Sequence, residues 1–437
     1  MPDVTRGAEL TLLIEKAVAG GQMLARHEGQ VVLVSGAIPG ERVRVRVVRM
    51  ASRTAHAEVL EVLEASPDRR PGVTDPRCGG QAFAHVAYAR QLTLKAGIVR
   101  DAWERIARLP WPGDPTVVPS PEHGYRMRAR LHGDHGRIGF LREGSHQVCD
   151  ADAGGQLLPS TVEWVREVER RGVAEGLGIT ALELTENIAG TARASYLELQ
   201  TPPSAAFVAA VSGAGPISWG RAAEAPPSRG RTRPVARVAI VGPGEASLVD
   251  GVSPSPGAAA VPLRRHARAF FQGNRFLLEP FVHHVVAAVE RGPVLDLYAG
   301  VGLFGLSTAA AGRGPVVCVE GDAVSGSDLI QNTTSFGVRA HVVREPVERY
   351  VASAAASRLG AATVILDPPR TGMAPEVARA VGRLAGSRLI FVSCDPATFA
   401  RDARVLDEAG FSLSALTVFD LFPNTAHVEA VGVFDRR

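Results

Sequence analysis

Two short polar segments near the end of the chain contain residues that could do covalent chemistry. The segment DPPR (367–370) follows one apolar run, and SCDP (393–396) follows the next. A cysteine at the start of a helix can have a lowered pKa, and its thiolate is a strong nucleophile. A lone cysteine is more often a small buried apolar side chain, as we expect for Cys318 inside a strand. The position of Cys394 directly after a strand, on the same edge as Asp367, favours a catalytic nucleophile.

A carboxylate is predicted to return to the same edge. The segment FDLFPNTAHVE (419–429) joins the last two apolar runs, which we expect to be antiparallel strands. A parallel strand ends at the carboxyl edge of its sheet, and an antiparallel successor begins there. Glu429 should therefore lie level with Cys394 and Asp367, although an isolated glutamate is more often a surface residue. A nucleophile and a carboxylate facing one pocket suit covalent catalysis with proton abstraction.

A glycine turn upstream indicates a nucleoside cofactor. The run VLDLYAGVG (294–302) is a strand that leads into a glycine turn and a helix, which lets a ligand approach the backbone. Glu320 ends the next strand, 24 residues after Asp296, and an acid there can accept hydrogen bonds from ribose hydroxyls. The loop lacks the full GxGxxG pattern, which favours S-adenosylmethionine over NAD. The alternative is a tight turn followed by a surface glutamate.

The elements that position these residues alternate between strand and helix over residues 266–437. Helix-length segments separate five short apolar runs, which predicts a parallel, doubly wound sheet. Two more strands, 413–419 and 428–434, should form an antiparallel pair at the end of the chain. The five parallel strands are predicted at 293–298, 316–320, 341–343, 363–366 and 389–393.

The first 265 residues divide into two further segments. Residues 1–66 predict a small β-barrel, because short strands near 31–34, 42–47 and 56–62 are joined by Gly/Pro turns. Residues 67–265 predict a central α+β domain. It should hold a helix near 91–109, which could pack on the catalytic domain, and a basic hairpin at 125–140. Positions 213–260 are rich in Gly, Pro, Ser and Ala and are predicted to be loops and a linker.

The composition limits the class of protein. With 437 residues the chain is long enough for two or three domains, and 46% apolar residues allow sizeable cores. No apolar run approaches the roughly 18 residues of a spanning helix, and the N-terminus lacks the apolar stretch of a signal peptide. Four cysteines exclude a disulfide scaffold and fit a reducing compartment. We therefore expect a cytoplasmic protein, and nothing in the sequence indicates an obligate protein partner.

The charge balance gives a weaker indication of nucleic-acid binding. The net charge of +3 is too small to predict it, and the excess of 46 arginines over two lysines is explained by a GC-rich genome. Local clusters of arginine could bind a phosphate backbone; each alone is more often a solvated face, but three clusters flanking a base-modifying site favour RNA. The three clusters are Arg42, Arg44, Arg46, Arg49 and Arg53; Arg126, Arg128 and Arg130; and Arg264, Arg265 and Arg268.

The catalytic segment resembles the S-adenosylmethionine-dependent RNA (uracil-5-)-methyltransferases, which make 5-methyluridine in tRNA and ribosomal RNA. Residues 1–66 resemble a TRAM domain, an RNA-binding module of the ribosomal-RNA members, on Gly21 and VSGAIPGE (34–41). The resemblance covers nearly the whole chain and is weakest from about 150 to 260. Its catalytic motifs, in the family's order, are FFQGN (270–274), DLYAGVG (296–302), Glu320 with Asn332, LDPPRTGM (366–373), SCDPATFARD (393–402) and FDLFPNTAHVE (419–429).

The resemblance implies a role for each site residue. Cys394 would add to C6 of the target uracil, which makes C5 nucleophilic towards the methyl group. Glu429 would then remove the C5 proton, and elimination would free the enzyme. The target base must leave its stack to reach such a cysteine. The positions implied for the cofactor are Gln272, Tyr298, Gly300, Gly302, Glu320 and Asp367, of which Gln272 and Asp367 could also hold the uracil edge.

The chain departs from the family pattern in two places. Many members hold an iron–sulfur cluster on C-x5-C-G-G-C and a distant cysteine. Here Gly72 and Gln81 replace two of those cysteines, so that only Cys78 and the candidate Cys149 remain. Two thiolates cannot fill a four-cysteine site, and we predict no cluster. Leu303 stands where the family often has an asparagine near the methionine part of the cofactor.

The sequence as a whole predicts an α/β enzyme. Its parts are a small TRAM/OB-like β-barrel, a central α+β domain, and a Rossmann-like class I methyltransferase domain over 266–437 with a seven-stranded, mostly parallel sheet. The barrel favours 23S ribosomal RNA over tRNA as substrate. Two rivals stay open: an amino methyltransferase that does not need Cys394, because D-P-P also suits transfer to an exocyclic nitrogen, and a non-catalytic RNA-binding factor.

Overall fold

The structure is a computed structural model, which describes residues 4–52, 54–71, 77–111, 113–221, 245–335, 337 and 340–437. The strands are β1 Glu9–Ala17, β2 Met23–His27, β3 Gln30–Ser35, β4 Arg42–Ala51, β5 Thr54–Glu64, β6 Thr116–Val118, β7 Arg128–Asp134, β8 Arg137–Leu141, β9 Val148–Asp150, β10 Ile179–Glu186, β11 Arg193–Leu199, β12 Ile217–Arg221, β13 Ser247–Val252, β14 Val261–His266, β15 Val294–Leu297, β16 Val316–Val319, β17 Ala340–Val343, β18 Thr363–Leu366, β19 Arg388–Ser393, β20 Phe411–Phe419 and β21 Glu429–Arg436. The helices are α1 Tyr88–Ala102, α2 Pro159–Ala174, α3 Ala205–Val211, α4 Leu278–Ala288, α5 Leu303–Ala310, α6 Ala323–Ser335, α7 Val347–Val351, α8 Ala354–Leu359, α9 Pro375–Leu384 and α10 Pro396–Glu408.

The chain forms two compact units, each built from separate stretches of sequence. Unit 1 comprises Met1–Ser120, Ala288–Leu297 and Val347–Arg437. Unit 2 comprises Pro121–Ala287 and Tyr298–Pro346. The domain boundaries expected near residues 66 and 265 stay a prediction.

The first five strands of unit 1 close into the predicted barrel, in the order β1-β2-β3-β5-β4. In β4 the valines Val43, Val45 and Val47 are buried and the intervening arginines are exposed, because successive side chains of a strand point to opposite faces. β1 and β2 were not predicted. Only three of the nine residues of β1 are buried, so that strand lacks a clear alternation.

The rest of unit 1 contains six sheet strands in the order β15-β18-β19-β21-β20-β6. β15, β18 and β19 are parallel, whereas β21 pairs antiparallel with both β19 and β20. The predicted antiparallel pair at the end of the chain is therefore confirmed. β6 was not predicted as part of this sheet: it comes from Thr116–Val118 and pairs parallel with β20. It is therefore additional to the seven strands expected within residues 266–437.

Helix α1 also belongs to unit 1. It begins three residues before the predicted Gln91, and a π-helical turn at Trp103–Ala107 continues it. Its buried residues include Leu94 and Ile98, which join the core of the barrel. Helix α1 also contacts α10, the helix that follows Cys394.

Unit 2 has a six-stranded sheet in the order β12-β11-β10-β7-β8-β9, the hairpin β13-β14 and the parallel pair β16-β17. The predicted basic hairpin corresponds to β7 and β8, which turn at His135-Gly136. The segment 213–260 was expected to be loops, but β12 and β13 lie within it, and 222–244 lies outside the described residues. In β13 the buried acid Asp250 takes a core position because it pairs with Arg265 of β14 at 3.1 Å. None of the helices that the structure describes combines the length and apolar character needed to cross a membrane.

Candidate active site

Cys394 and Glu429 lie opposite each other at one end of the unit 1 sheet. The ladder between β19 and β21 ends with the pair Ser393 and Ala430. In an antiparallel pair, the residue after Ser393 faces the residue before Ala430. The side chain of Glu429 is buried, and Cys394 is half-buried. The structure thus brings together the two residues that strand order placed at one level.

The electrostatic surroundings disfavour the ionised form of both groups. Burial, and then the carboxylates of Glu429 and Asp367, raise the pKa of the Cys394 thiol to about 12, while Arg370 opposes the shift. Burial and the neighbouring Asp367 also raise the pKa of Glu429 well above its ordinary value, again against Arg370. At this end of the sheet, additional negative charge is disfavoured and positive charge is favoured.

The expectation that the helix start lowers the pKa of Cys394 is wrong. Asp395 is the N-cap of α10, and its Oδ1 accepts the N–H of Thr398 at 2.8 Å. The cap carboxylate thus occupies the helix end that would otherwise stabilise a thiolate. Burial beside two carboxyl groups then decides the direction of the shift in the pKa of the thiol.

The DPPR loop is held by two residues of α10. Arg401 Nη2 donates to the carbonyl oxygens of Thr371 and Met373 at 3.0 and 2.9 Å. Asp402, which is buried, accepts the N–H of Met373 at 2.8 Å and the Nε–H of Arg401 at 2.8 Å. These contacts fix the loop that follows Asp367. The SCDPATFARD segment therefore supplies both Cys394 and the two residues that hold the DPPR loop.

In unit 2 the glycine turn after β15 has three residues with positive φ: Tyr298 at 62°, Gly300 at 57° and Gly302 at 99°. Such a φ is unfavourable for a tyrosine and persists only where the surroundings hold it. A Cβ on Gly302 would lie 2.7 Å from the side chains of Leu306 and Leu329. A Cβ on Gly300 would meet no heavy atom within 4 Å, so the turn is open on that side.

Glu320 spans this turn and the next loop. Its Oε2 accepts the N–H of Gly300 at 2.7 Å, and its Oε1 accepts the N–H of Asp322 at 2.6 Å. Burial raises the pKa of Glu320 above its ordinary value, although both hydrogen bonds oppose the shift. The acid predicted at the end of the second strand therefore lies beside the glycine turn, as a ribose-binding acid should.

Buried polar residues of α6 brace the turn. Asn332 Nδ2 donates to the carbonyl oxygens of Val301 and Arg264, each at 2.9 Å, and its Oδ1 accepts the N–H of Arg264 at 2.7 Å. Asp328, one helical turn earlier, accepts the N–H of His266 at 2.7 Å and pairs with the Arg264 side chain. The motif asparagine thus ties the glycine turn to strand β14.

Gln272 is buried in unit 2, on a segment that backbone hydrogen bonds fix. The N–H of Met127 donates to the carbonyl oxygen of Gly273 at 2.8 Å, and the N–H of Arg275 donates to that of Tyr125 at 2.9 Å. The residues just before β7 therefore hold the FFQGN segment in place.

Comparisons with known proteins place these sites in a family. Residues 3–60 match the family model of the TRAM domain, and residues 349–437 match that of tRNA (Uracil-5-)-methyltransferase. A 23S rRNA (uracil(1939)-C(5))-methyltransferase, RlmD, of Pseudomonas putida is 30% identical over 99% of this chain and 95% of its own length. The chain belongs to the RNA (uracil-5-)-methyltransferase family. An uncharacterized RNA methyltransferase of Corynebacterium glutamicum is also similar, at 29% identity over 99% of this chain and 98% of its own.

A solved structure confirms the predicted fold of this family member. The tRNA (uracil-54, C5)-methyltransferase of Pyrococcus abyssi, solved with S-adenosyl-L-homocysteine, matches with a TM-score of 0.75. The match covers 97% of this chain and 100% of the other, at 23% identity. The chain thus has this fold, with an N-terminal TRAM barrel, and its family membership makes it an S-adenosylmethionine-dependent methyltransferase.

The residues of the glycine turn fit S-adenosylmethionine. The open side of Gly300 leaves room for a ligand against the backbone. The Glu320 carboxylate accepts the backbone N–H groups of Gly300, Gly321 and Asp322, and its four lone pairs leave room for a ribose hydroxyl. Tyr298, Gly300, Gly302 and Glu320 are brought together in unit 2, where Gln272 also lies, and Asp367 lies in unit 1. Their roles towards the cofactor stay a prediction.

The residues do not fit a four-cysteine iron–sulfur cluster. Cys78 in unit 1 and Cys149 in unit 2 are both buried, and two cysteines are too few for a four-cysteine site. Within the described ranges, no group of three or more His, Cys, Asp or Glu side chains could hold a metal ion. Gly72, which replaces the first cysteine of the C-x5-C-G-G-C pattern, lies outside the described residues.

The arginine cluster of the barrel is largely paired with acids of neighbouring strands. Arg44 pairs with Glu9 and Glu61, and Arg46 also pairs with Glu9. Arg49 differs, because its partner is a histidine and not an acid: its Nη2 lies 2.7 Å from Nε2 of His56. Arg53 lies outside the described residues.

The two clusters of unit 2 are engaged as well. Arg130 pairs with Glu183 and Glu198, and the buried Arg265 pairs with Asp250. These arginines build the unit's own polar network, so the run of positive charge seen in the sequence overstates the free positive surface. Which side chains contact RNA stays a prediction.

Two buried polar residues of α1, Gln91 and Lys95, also contact the segment that leads to Glu429, and the sequence motifs do not include them. Both make hydrogen bonds to the 419–429 segment. The available signal was their spacing of four residues, which places them on one face of a helix, and the rarity of lysine in this chain.

Proposed function

We propose that this enzyme transfers a methyl group from S-adenosylmethionine to C5 of a uridine in 23S ribosomal RNA, through a covalent bond between Cys394 Sγ and C6 of the base. The observation that carries the proposal is the register of β19 and β21, which sets the half-buried Cys394 against the buried Glu429. A nucleophile and a base at one strand end are the two groups that substitution at an unactivated C5 requires.

The Cys394 thiol loses its proton, and the thiolate adds to C6 while the 5,6 double-bond electrons move onto C5 and O4. S-adenosylmethionine, when bound, supplies the methyl group to C5 and leaves as S-adenosylhomocysteine. The Glu429 carboxylate then removes the C5 proton, the C5–H electrons restore the double bond, and the C6–S bond breaks. The products are 5-methyluridine, S-adenosylhomocysteine and one proton.

The remaining site residues bind and orient. Glu320 and the backbone of Tyr298, Gly300 and Gly302 hold the nucleoside of the cofactor, and Gln272 and Asp367 contact cofactor and uracil edge. Arg370 supplies the positive charge that favours the ionised forms of Cys394 and Glu429. Asn332 and Asp402 hold the two loops in place.

Ribosomal RNA is favoured over tRNA for two reasons. The barrel matches the TRAM domain, and the relative from Pseudomonas putida, which the chain matches over nearly its whole length, is named for position 1939 of 23S rRNA. A 23S rRNA substrate implies a cytoplasmic enzyme.

The test uses unmodified 23S rRNA, 16S rRNA and tRNA with S-adenosylmethionine, followed by nucleoside mass spectrometry. Wild type and Cys318→Ala, which removes the buried free thiol of β16, should both produce 5-methyluridine in 23S rRNA, whereas Cys394→Ala should produce none. A methylated amine from both wild type and Cys394→Ala would replace the proposal with N-methylation. 5-Methyluridine in tRNA alone would refute the proposed substrate while keeping the chemistry.

A further inference from the structure

Helix α1 packs one face against the barrel and presents a second, polar face to the segment before Glu429. Leu94 and Ile98 of α1 belong to the barrel core. Gln91 and Lys95 are both fully buried and both point to residues 420–424. Buried polar side chains of this kind need good partners, and all of those described here lie within unit 1.

Lys95 forms the first contact. Its Nζ pairs with Asp420 Oδ1 and donates to the carbonyl oxygen of Phe422 at 2.9 Å. Asp420 Oδ2 accepts the hydroxyl of Tyr88 at 2.9 Å. Both side chains of the ion pair are completely buried. A pair this deep is held by its partners rather than by water, and removing one partner leaves an uncompensated charge.

Gln91 forms the second contact, an amide that binds Asn424 in both directions. Gln91 Oε1 accepts the N–H of Asn424 at 2.9 Å, and Gln91 Nε2 donates to Asn424 Oδ1 at 2.9 Å. Asn424 has a φ of 64°, in the left-handed region, which asparagine tolerates better than most residues. The carbonyl oxygen of Asn424 also accepts the N–H of Phe83 at 2.8 Å. Backbone and side chain of this strained residue are therefore both fixed.

The held segment closes the hairpin that carries the general base. The β20–β21 ladder ends with the pair Phe419 and Glu429. Asp420, the residue next to Phe419, is the one that Lys95 holds. The end of a ladder opens most easily, because nothing pairs beyond it. A loop fixed at Asp420 and Asn424 keeps this last pair closed and keeps Glu429 opposite Cys394.

We propose that helix α1 is the positioning element of the general base, with Lys95 and Gln91 as positioning residues that fix Glu429 through Asp420 and Asn424. The proposal rests on the proposed function, in which Glu429 removes the C5 proton. It predicts a defect confined to proton removal, because thiol addition and methyl transfer precede that step.

Substrate RNA with 5-fluorouridine at the target separates these steps. Fluorine at C5 cannot leave as a cation, so the enzyme adds to C6, the base is methylated, and the covalent complex accumulates without any proton removal. The rate of complex formation therefore reports Cys394 and the cofactor, whereas turnover on uridine RNA also reports Glu429. Rates on both RNAs, read by denaturing gel and by methyl incorporation, are the measurement.

Gln91→Met removes both hydrogen bonds to Asn424, together with those that Gln91 Nε2 donates to the carbonyl oxygens of Phe83 and Val86, without burying a charge. The double variant Lys95→Met/Asp420→Asn removes the ion pair without leaving one partner charged. The matched control is Lys16→Met, because exposed Lys16 also pairs with an acid of α1, Asp101, away from the 420–424 segment. Thermal melting establishes that each variant folds.

We expect kcat on uridine RNA to fall about 10- to 100-fold in Gln91→Met and in the double variant, the cost of a small misplacement of a catalytic group. KM for RNA and complex formation with 5-fluorouridine RNA should stay within about twofold of wild type, and a stalled covalent adduct should appear on uridine RNA. Lys16→Met should behave as wild type.

Two results would overturn the positioning role. One is unchanged kcat in Gln91→Met and in the double variant. The other is an equal loss on both RNAs, which would make α1 a general support of the fold. Failure of the proposed function looks different: wild type itself would form no covalent complex with 5-fluorouridine RNA.

Discussion

The electrostatics of unit 1 predict a cysteine that hardly reacts in the ligand-free enzyme. Burial and two carboxylates raise the pKa of Cys394 to about 12. At pH 8 such a thiol is roughly 10⁻⁴ thiolate, whereas an ordinary cysteine is roughly a quarter thiolate. The thiolate is the nucleophile, but its intrinsic reactivity rises with its basicity, so alkylation of Cys394 by iodoacetamide should be roughly a hundredfold slower than that of a free thiol. Cys318, which is also a free thiol, is fully buried and should not react in the native protein.

The assay follows the modified Cys394 peptide by mass spectrometry between pH 7 and 10, with glutathione as the reference thiol. The rate should rise about tenfold for each pH unit without reaching a plateau. Glu429→Gln removes the neighbouring charge that most raises this pKa and should speed alkylation severalfold at pH 9 to 10, whereas Arg370→Gln should slow it severalfold. A plateau below pH 9, or variants that shift the rate in the same direction, would refute the electrostatic reasoning.

Three further predictions test other parts of the site. Folding raises the pKa of Glu429, so the stability contributed by its neutral form is present below about pH 4.3 and is lost as the pH rises towards the raised pKa. Glu429→Gln should therefore raise Tm more at pH 8 than at pH 5, as measured by calorimetry. The same variant should abolish turnover. In the folded protein an amine-reactive label should modify Lys16 but not Lys95, because Lys95 is completely buried and should react only after unfolding. A peptide map of the native protein that shows labelled Lys95 would contradict its burial. Glu320→Gln places an amide where Gly300 donates its N–H and should weaken S-adenosylhomocysteine binding about tenfold in titration calorimetry, whereas unchanged affinity would remove Glu320 from the cofactor site.

The sequence was a good guide to the strand ends, for a physical reason. In a mostly parallel sheet, alternation of strand and helix fixes which ends of the strands share an edge, so counting strands placed Cys394, Asp367 and Glu429 together. The same rule placed Glu320 beside the glycine turn. Each of these arguments uses only local patterns and one topological rule.

What the sequence could not indicate depended on partners far along the chain. Lys95 and Asp420 are 325 residues apart, and a polar residue on a helix is usually solvated. The exposed arginines of β4 read as a free positive face, because the register that pairs Arg44 with Glu61 on β5 is not visible in either strand alone. The pKa of Cys394 was misjudged for the same reason, since burial and the opposing Glu429 outweigh the helix start.

The raised pKa of Cys394 and the support of Glu429 by α1 belong to one problem. A thiolate of high basicity attacks well once formed, but it is a poor leaving group, because departure becomes slower as the pKa of the leaving thiol rises. In the proposed reaction, breaking the C6–S bond is then the demanding step, and it proceeds only as Glu429 takes the C5 proton. An enzyme that surrounds its nucleophile with negative charge therefore needs a base held in a fixed position. The buried contacts of Lys95 and Gln91 with the hairpin of Glu429 meet that need.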